Sequence, residues 1–187
     1  MGEVVEVNNE ERAPTVWTIG HSTRALEDFI QLLRPSEIAN LVDVRSYPGS
    51  RRYPQFNKVE LSRVLPKSGI DYYHFAKLGG RRKPLPDSRN TAWRDASFRA
   101  YADYMESEEF KEGIEELLEL ARNMRTAIMC AEAVWWRCHR GLIADYLKAQ
   151  GSVIVHIVDA ARSEPHPYTA AARIVDGPLS YAGLFPE

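Results

Sequence analysis

Residues 15–44, TVWTIGHSTRALEDFIQLLRPSEIANLVDV, carry the pattern that decides the fold. The run 15–20 is short and apolar, which predicts a buried strand that ends in a glycine. The run 25–34 has apolar side chains three and four residues apart, which predicts an amphipathic helix. Residues 38–44 are apolar again and predict a second strand. A strand, a helix and a strand in this order are typical of a parallel sheet.

The predicted helix should place one apolar face against the sheet. The side chains on that face are those of Leu26, Phe29, Ile30 and Leu33. We expect Ser22 or Thr23 to act as its N-cap, since a hydroxyl can accept a hydrogen bond from a backbone N–H of the first turn.

The alternation of strands and helices continues along the chain. Further strands are predicted at residues 71–75, 126–130 and 153–158, and helices at 97–123, with a break near Ser107, and at 137–150. Nearly continuous apolar strands predict a sheet that is covered on both faces. We therefore expect an open, mostly parallel sheet of about five strands with helices on both faces, a Rossmann-like three-layer α/β sandwich. An eight-stranded barrel would need about 250 residues.

The chain divides into three parts on this basis. Residues 1–13 show no periodic pattern and predict a flexible lead-in, residues 14–162 form the single α/β domain, and residues 163–187 form a proline-containing tail that packs on it.

Composition narrows the class of protein. The 187 residues are 44% hydrophobic and 27% charged with a net charge of −2, which is typical of a globular protein. Arginine supplies 18 of the 24 basic residues, which hints at an anionic ligand. No run approaches the roughly 20 apolar residues of a membrane span, and the acidic N-terminus does not resemble a signal peptide. Two cysteines provide no disulfide framework, so we expect a cytoplasmic protein that has no membrane partner.

Polar residues fall where the predicted strands end. Ligands bind beyond the carboxyl ends of the strands in open parallel sheets, so these residues should share one site. The candidates for acid–base or nucleophilic catalysis are His21, Asp43, Cys130, Glu132 and Cys138. Each has a simpler alternative: a structural histidine, an ion pair between Asp43 and Arg45, packed thiols, or a solvated acid.

The two cysteines allow three interpretations. Cys138 should lie in the first turn of the helix at 137–150, where the helix N-terminus and flanking cationic groups favour a thiolate, or it packs that helix onto the sheet. A cysteine-phosphatase loop is excluded, because Arg137 lies seven residues after Cys130 and no glycine intervenes. Cys130, Cys138, His139 and His156 offer metal-binding atoms, but their spacing matches no common ligand pattern, so we predict no metal site. The sequence identifies no cofactor.

Basic loops follow two of the strands and should overhang the site. The candidates for anion or substrate binding are Ser22, Arg45, Arg51, Arg52, His74, Arg81, Arg82, Arg137, His139 and Arg140. With nearby aromatic residues they could grip phosphates and stack bases, or they form only a solvated rim. We expect His156 to be a core histidine with satisfied hydrogen bonds, and we assign no role to His166.

Several ordered motifs resemble the domain of unknown function 488 family. They are TIGHST (18–23), LVDVRSYPGS (41–50), FAKLGG (75–80), FRAYADYM (98–105), CAEAVWWRCHRGLIADYL (130–147) and VIVHI (153–157). The resemblance covers roughly residues 15–160 and implies a fold and a motif map, but no reaction, since the family has no assigned activity. Where the family usually has a polar or proline-containing turn between the cysteines, this chain has Val134-Trp135-Trp136.

The residues lead to one main hypothesis and two alternatives. The main hypothesis is an enzyme, a hydrolase or transferase, that binds an anionic, nucleotide-like or nucleic-acid substrate. No GxGxxG or Walker loop is present, which disfavours a nucleotide-dependent oxidoreductase. The first alternative is a non-catalytic module that binds nucleotides or nucleic acid, and the second is a thiol or metal sensor. The sequence does not specify an oligomeric state.

Overall fold

A computed structural model describes residues 13–183 and contains one six-stranded sheet. Its strands are β1 (Thr15–Gly20), β2 (Asn40–Asp43), β3 (Asp71–His74), β4 (Thr126–Cys130), β5 (Val153–Ile157) and β6 (Ser163–Pro165). The strand order is β3-β2-β4-β1-β5-β6, and every pairing is parallel except that of β5 with β6. A separate two-stranded ribbon joins β7 (Arg173–Ile174) to β8 (Leu179–Ser180).

Within residues 13–183, five α-helices cover the two faces of the sheet. They are α1 (Leu26–Leu33), α2 (Lys58–Val64), α3 (Ala96–Tyr104), α4 (Glu108–Asn123) and α5 (Arg140–Ala149). Successive side chains of a strand point to opposite faces, so Met129 of β4 joins the core beneath α1 and α2, whereas Ile128 and Cys130 join the core beneath α3, α4 and α5. This arrangement confirms the predicted three-layer α/β fold.

The apolar face of α1 is confirmed, but its predicted N-cap is wrong. All four expected side chains are buried. The N-cap residue is Ala25, and none of the described side chains caps the helix. Ser22 instead has a positive φ of 52° in the turn after β1, and its N–H donates to the carbonyl oxygen of Ala131. The predicted break near Ser107 is confirmed, because the Ser107 hydroxyl caps α4 by accepting from the Phe110 N–H.

The segment between β4 and α5 differs from its prediction. A 3-10 turn over Trp135–Arg137 precedes α5, which begins at Arg140. Cys138 therefore lies ahead of the helix, and its N–H donates to the carbonyl oxygen of Trp135 at 3.1 Å. The prediction that Cys138 lies in the first helical turn is wrong, since this 3-10 turn delays the start of the helix.

The segment after β5 adds to the fold. β6 extends the sheet with an antiparallel strand that the sequence pattern did not predict. Tyr181 follows β8 and is buried in the same core as α3, α4 and α5. Residues 1–12 of the predicted lead-in lie outside the described residues. Among the helices of residues 13–183, none has the length and apolar character needed to cross a bilayer.

Candidate functional site

A pocket of about 290 Å³ opens at the carboxyl ends of β2 and β4. Cys130, Cys138 and His139 contribute to its lining and are buried or half-buried. The other lining residues are Arg45, Ser46, Tyr47, Gly80, Arg81, Ser97, Phe98, Ala131, Glu132 and Arg137. The pocket lies where ligands of open parallel sheets bind.

The two sulfur atoms and one imidazole nitrogen converge in this pocket. His139 Nδ1 lies 3.6 Å from Cys138 Sγ and 3.9 Å from Cys130 Sγ. The other ring nitrogen, Nε2, lies 2.9 Å from the carbonyl oxygen of Val44 and donates to it, because that oxygen can only accept. Nδ1 is therefore the ring nitrogen that faces the sulfur atoms. We call Cys130, Cys138 and His139 the thiol–imidazole cluster.

A buried arginine lies behind the cluster. Arg140 is 1% exposed, its Nε donates to Cys138 Sγ at 3.4 Å, and an NH2 group donates to the carbonyl oxygen of Glu132 at 2.6 Å. Burial opposes ionisation of the Cys138 thiol, but the hydrogen bond from Cys130 and the charges of His139 and Arg140 outweigh it and hold the Cys138 pKa well below its ordinary value. The hydrogen bond to Cys138 and burial raise the pKa of the Cys130 thiol. Of the two thiols, Cys138 is thus the one that ionises more readily.

Asp43 and Arg45 form a buried ion pair beside this cluster. The Asp43 carboxylate is fully buried and accepts from the Arg45 backbone N–H at 3.0 Å, from its Nε at 2.9 Å and from its NH2 at 2.5 Å. The same arginine donates to the carbonyl oxygen of Phe56 at 2.7 Å, and the Tyr72 hydroxyl donates to Asp43 at 2.8 Å. The geometry thus matches the alternative interpretation, an ion pair between Asp43 and Arg45. Arg45 nevertheless also lines the pocket.

His21 supports Arg45 and does not line the pocket. Its Nδ1 lies 2.8 Å from the carbonyl oxygen of Ser22 and donates to it, so Nε2 accepts from Arg45 NH1 at 3.2 Å. The ring stacks on Phe56 at 4.1 Å. Burial lowers the pKa of His21 to about 4, so the ring is neutral at physiological pH. Both nitrogens of this histidine are therefore engaged by protein partners.

Close backbone approaches explain two glycines of the site. A Cβ at Gly20 would overlap the carbonyl oxygen of Glu132, so only glycine lets β1 pass beneath the turn after β4. A Cβ at Gly80 would lie 2.5 Å from His139 Nδ1, so this glycine leaves room for the imidazole of the cluster.

A protein-family model matches most of this chain. The model described as "Domain of unknown function DUF488" matches residues 25–147, about two thirds of the chain. The chain belongs to the DUF488 family. Comparison with curated proteins and with solved structures gave no significant match. The matched range contains Asp43, Arg45 and the thiol–imidazole cluster, and it excludes His21.

The DUF488 site brings only part of the predicted basic rim to the pocket. Arg81 and Arg137 line it and are exposed. Arg82 does not, because it donates to the carbonyl oxygens of Ala76, Lys77 and Gly79, and its guanidinium lies 3.4 Å from the centroid of the Tyr104 ring.

Five other predicted binding residues also lie outside the pocket lining, and one of them, Arg140, lies behind the cluster. Arg51 and Arg52 are exposed in the loop after β2, and Arg52 contacts the Tyr53 ring. His74 contacts the carbonyl oxygen of Arg45 at 2.9 Å through Nε2, and Ser22 lies in the turn after β1. Of the predicted catalytic acids, Glu132 lines the pocket and is exposed.

Sequence reasoning missed three polar or aromatic side chains of the lining, those of Ser46, Ser97 and Phe98, whereas it named Tyr47 as an aromatic residue that could stack a base. The Ser46 hydroxyl accepts from the Arg81 N–H at 3.0 Å. Ser46 directly follows Arg45 at the end of a strand, and this position is the sequence signal that could have identified it. The other pair starts α3, far along the chain, and no local pattern indicates that α3 begins at the pocket.

A second buried polar network in the DUF488 chain was also missed. Thr18 Oγ1 contacts His156 Nδ1 at 2.7 Å, His156 Nε2 contacts His166 Nδ1 at 2.8 Å, and His166 Nε2 contacts Asp145 at 2.9 Å. His156 is a satisfied core histidine, as expected. Assigning no role to His166 is wrong, because its ring is 2% exposed and joins two elements of the core. Prolines on either side of His166 are typical of an exposed loop, so the sequence does not indicate that the residue is buried.

Proposed function

We propose that this protein is a hydrolase or transferase for a small anionic substrate, and that the reaction takes place at the thiol–imidazole cluster. One observation carries the proposal. A single pocket joins a Cys138 sulfur that His139 and Arg140 contact to a rim that carries the guanidinium groups of Arg81 and Arg137. Reactive cysteines typically occupy electropositive microenvironments of this kind.

The rim supports an anionic substrate. Arg81 and Arg137 are exposed, and the planar guanidinium group is well suited to hold a carboxylate or phosphate through two hydrogen bonds. Glu132 is the one acidic residue in the lining, so arginine outnumbers acid around the pocket. Ser46 adds a hydroxyl at the same wall. A volume of about 290 Å³ suits a small molecule or one terminal group of a larger one.

The remaining strand-end residues support the site indirectly. The ion pair of Asp43 with Arg45 fixes the start of the loop that carries Ser46, and His21 buttresses that arginine from behind. We therefore assign catalysis to the cluster and positioning to His21 and Asp43.

The test is turnover of a panel of phosphate, sulfate and carboxylate esters by the wild-type chain and three variants. Cys138→Ser should abolish kcat, and Arg137→Gln should raise KM by about tenfold, the loss of one charge-assisted contact. Arg63→Gln is the matched control, because Arg63 lies on α2 paired with Glu60 and away from the pocket. Turnover that Cys138→Ser leaves intact would remove the cluster from the reaction.

One observation favours a second candidate, a non-catalytic nucleotide-binding or nucleic-acid-binding module. Tyr47 is 73% exposed at the pocket, and the Arg81 guanidinium lies 5.7 Å from the centroid of its ring. An exposed aromatic ring beside arginine can stack a base and hold a phosphate. This candidate predicts that Cys138→Ser binds oligonucleotides as wild type does, that Tyr47→Ala does not, and that affinity falls steeply with salt.

A further inference from the structure

We propose that Cys130, Cys138 and His139 form a binding site for one thiophilic divalent cation such as Zn²⁺, with a coordination position open to the pocket. The binding of the cation stands on the geometry of these three residues alone. Its participation in turnover rests on the proposed function.

The two sulfur–nitrogen distances fit a tetrahedral cation. Zinc binds sulfur at about 2.3 Å and imidazole nitrogen at about 2.0–2.1 Å, so tetrahedral angles put a ligating sulfur and nitrogen about 3.6 Å apart. The cluster has His139 Nδ1 at 3.6 Å from Cys138 Sγ and at 3.9 Å from Cys130 Sγ. The three donor atoms all lie within 4.8 Å of one another. A cation therefore fits between them with shifts of a few tenths of an ångström in the sulfur–nitrogen distances.

The orientation of the imidazole supports the same assignment. Metal-binding histidines commonly donate their second N–H to a carbonyl or carboxylate, which fixes the lone pair of the other nitrogen toward the metal. His139 does this through Nε2 and the carbonyl oxygen of Val44 at 2.9 Å. The Tyr101 and His139 rings pack edge to face with centroids 5.0 Å apart, and a Cβ at Gly80 would lie 2.5 Å from Nδ1, so the backbone of Gly80 closes the other side of the imidazole. The donor nitrogen is thus held in place before any cation binds.

The chemistry of the donors selects the kind of cation. Two thiolates and one imidazole favour zinc and other thiophilic ions, whereas Mg²⁺ and Ca²⁺ require oxygen ligands. Two thiolates would balance the charge of a divalent ion, and the Arg140 Nε–H would remain on Cys138 as a donor to a ligated sulfur. Such outer contacts commonly tune metal-bound thiolates.

The number of ligands indicates a catalytic site. Structural zinc sites use four protein ligands, whereas catalytic ones use three and leave a position for water or substrate. Within residues 13–183, the group of potential ligands at this place contains three members. All three line the pocket that Arg81 and Arg137 border. A cation here would polarise an oxygen of an anion held by those arginines.

The spacing of the cysteines explains why the sequence argued against this site. Common zinc motifs place two ligands on one short loop, two to four residues apart. Here Cys130 ends β4, and the 3-10 turn over Trp135–Arg137 brings Cys138 back to the same place. The seven intervening residues form this turn, so the number of residues between the cysteines does not indicate how far apart their sulfur atoms lie.

The experiment is titration of the reduced, metal-free full chain with Co²⁺, followed by the thiolate-to-cobalt charge-transfer absorption in the near ultraviolet. Wild type should bind one Co²⁺ per chain with this absorption, and Zn²⁺ should displace it. Cys130→Ser, Cys138→Ser and His139→Gln should each weaken binding at least 100-fold, more than the roughly 10–100-fold that loss of an outer contact costs. His74→Gln is the matched histidine control and should bind as wild type does, since His74 does not line the pocket.

A second measurement covers variants that fold poorly. Zn²⁺ should protect Cys130 and Cys138 of the wild-type chain from iodoacetamide, as read by peptide mass spectrometry. Absence of both charge transfer and protection would overturn the metal site, and so would equal affinity in wild type and Cys138→Ser. If the metal-free chain turns esters over at the full rate, the proposed function stands and the catalytic cation falls. If Zn²⁺ binds but no ester is turned over, the metal site stands and the proposed function fails.

Discussion

Replacing Asp43 with asparagine should destabilise the fold more than any exposed ion-pair substitution. The carboxylate is fully buried and accepts three hydrogen bonds from Arg45 and one from the Tyr72 hydroxyl. Asparagine keeps the shape of the side chain. However, it removes the negative charge and turns an N–H donor toward groups that are themselves donors.

The magnitude follows from burial. Arg45 is 8% exposed, and without Asp43 its side chain keeps only the Phe56 carbonyl oxygen and the His21 ring as polar partners. Breaking one side of a buried ion pair costs about 3–5 kcal/mol, because the remaining charge is left uncompensated. In a domain of this size each kcal/mol lowers Tm by about 2–4 °C, so Tm should fall by about 6–20 °C.

Urea unfolding followed by far-ultraviolet circular dichroism measures this change. Glu60→Gln is the control, because it removes the partner of Arg63 from a solvent-exposed pair on α2 and should leave the unfolding midpoint close to that of wild type. If Asp43→Asn stays within about 1 kcal/mol of wild type, Arg45 has found other compensation and the argument from burial is refuted.

Three further changes test other parts of the structure. Burial lowers the pKa of His156 to about 3, so between about pH 6.5 and pH 3 the unfolded chain binds a proton that the folded chain does not. The free energy of unfolding, measured with urea, should therefore fall as the pH is lowered through this range, by up to about 1.4 kcal/mol per pH unit from this group. His156→Gln should weaken this pH dependence, and an unchanged dependence would contradict the prediction. Gly20→Ala should lower Tm sharply, because its Cβ would overlap the Glu132 carbonyl oxygen, and a wild-type melting curve would contradict that close approach. Gly80→Ala should spare global stability but displace the His139 ring, since the new Cβ would lie 2.5 Å from Nδ1. Loss of Co²⁺ affinity with an unchanged Tm would show this, and unchanged affinity would argue against it.

The strand ends could be predicted from the sequence because strand patterns are local. The apolar runs at 15–20 and 126–130 match the observed bounds of β1 and β4, and the second run alone puts Cys130 at the carboxyl end of a strand. Which side chains then meet depends on strand order. β2 lies beside β4, which brings the Val44 carbonyl oxygen to His139. The order of the strands along the chain does not indicate that β2 and β4 are neighbours.

The predicted role of His21 shows a second limit. A histidine after a strand-end glycine was a reasonable acid–base candidate, since its ordinary pKa lies near neutrality. The structure shows both ring nitrogens engaged, one by the Ser22 carbonyl and one by Arg45. Such partners come from tertiary contacts, so residue type and strand-end position indicate where a site lies more reliably than what each residue does there.

Trp135 contacts both the histidine network and Cys138 of the thiol–imidazole cluster. The turn between the cysteines, which contains Trp135, therefore has a structural role. Its ring stacks on His156 with centroids 4.5 Å apart, and its Nε1–H donates to Glu164 of β6 at 3.1 Å. Its backbone carbonyl accepts the Cys138 N–H at 3.1 Å. The histidine network beneath β5 therefore anchors the same residue that positions the Cys138 sulfur. Packing of the Trp135 ring therefore helps to hold the backbone that carries Cys138.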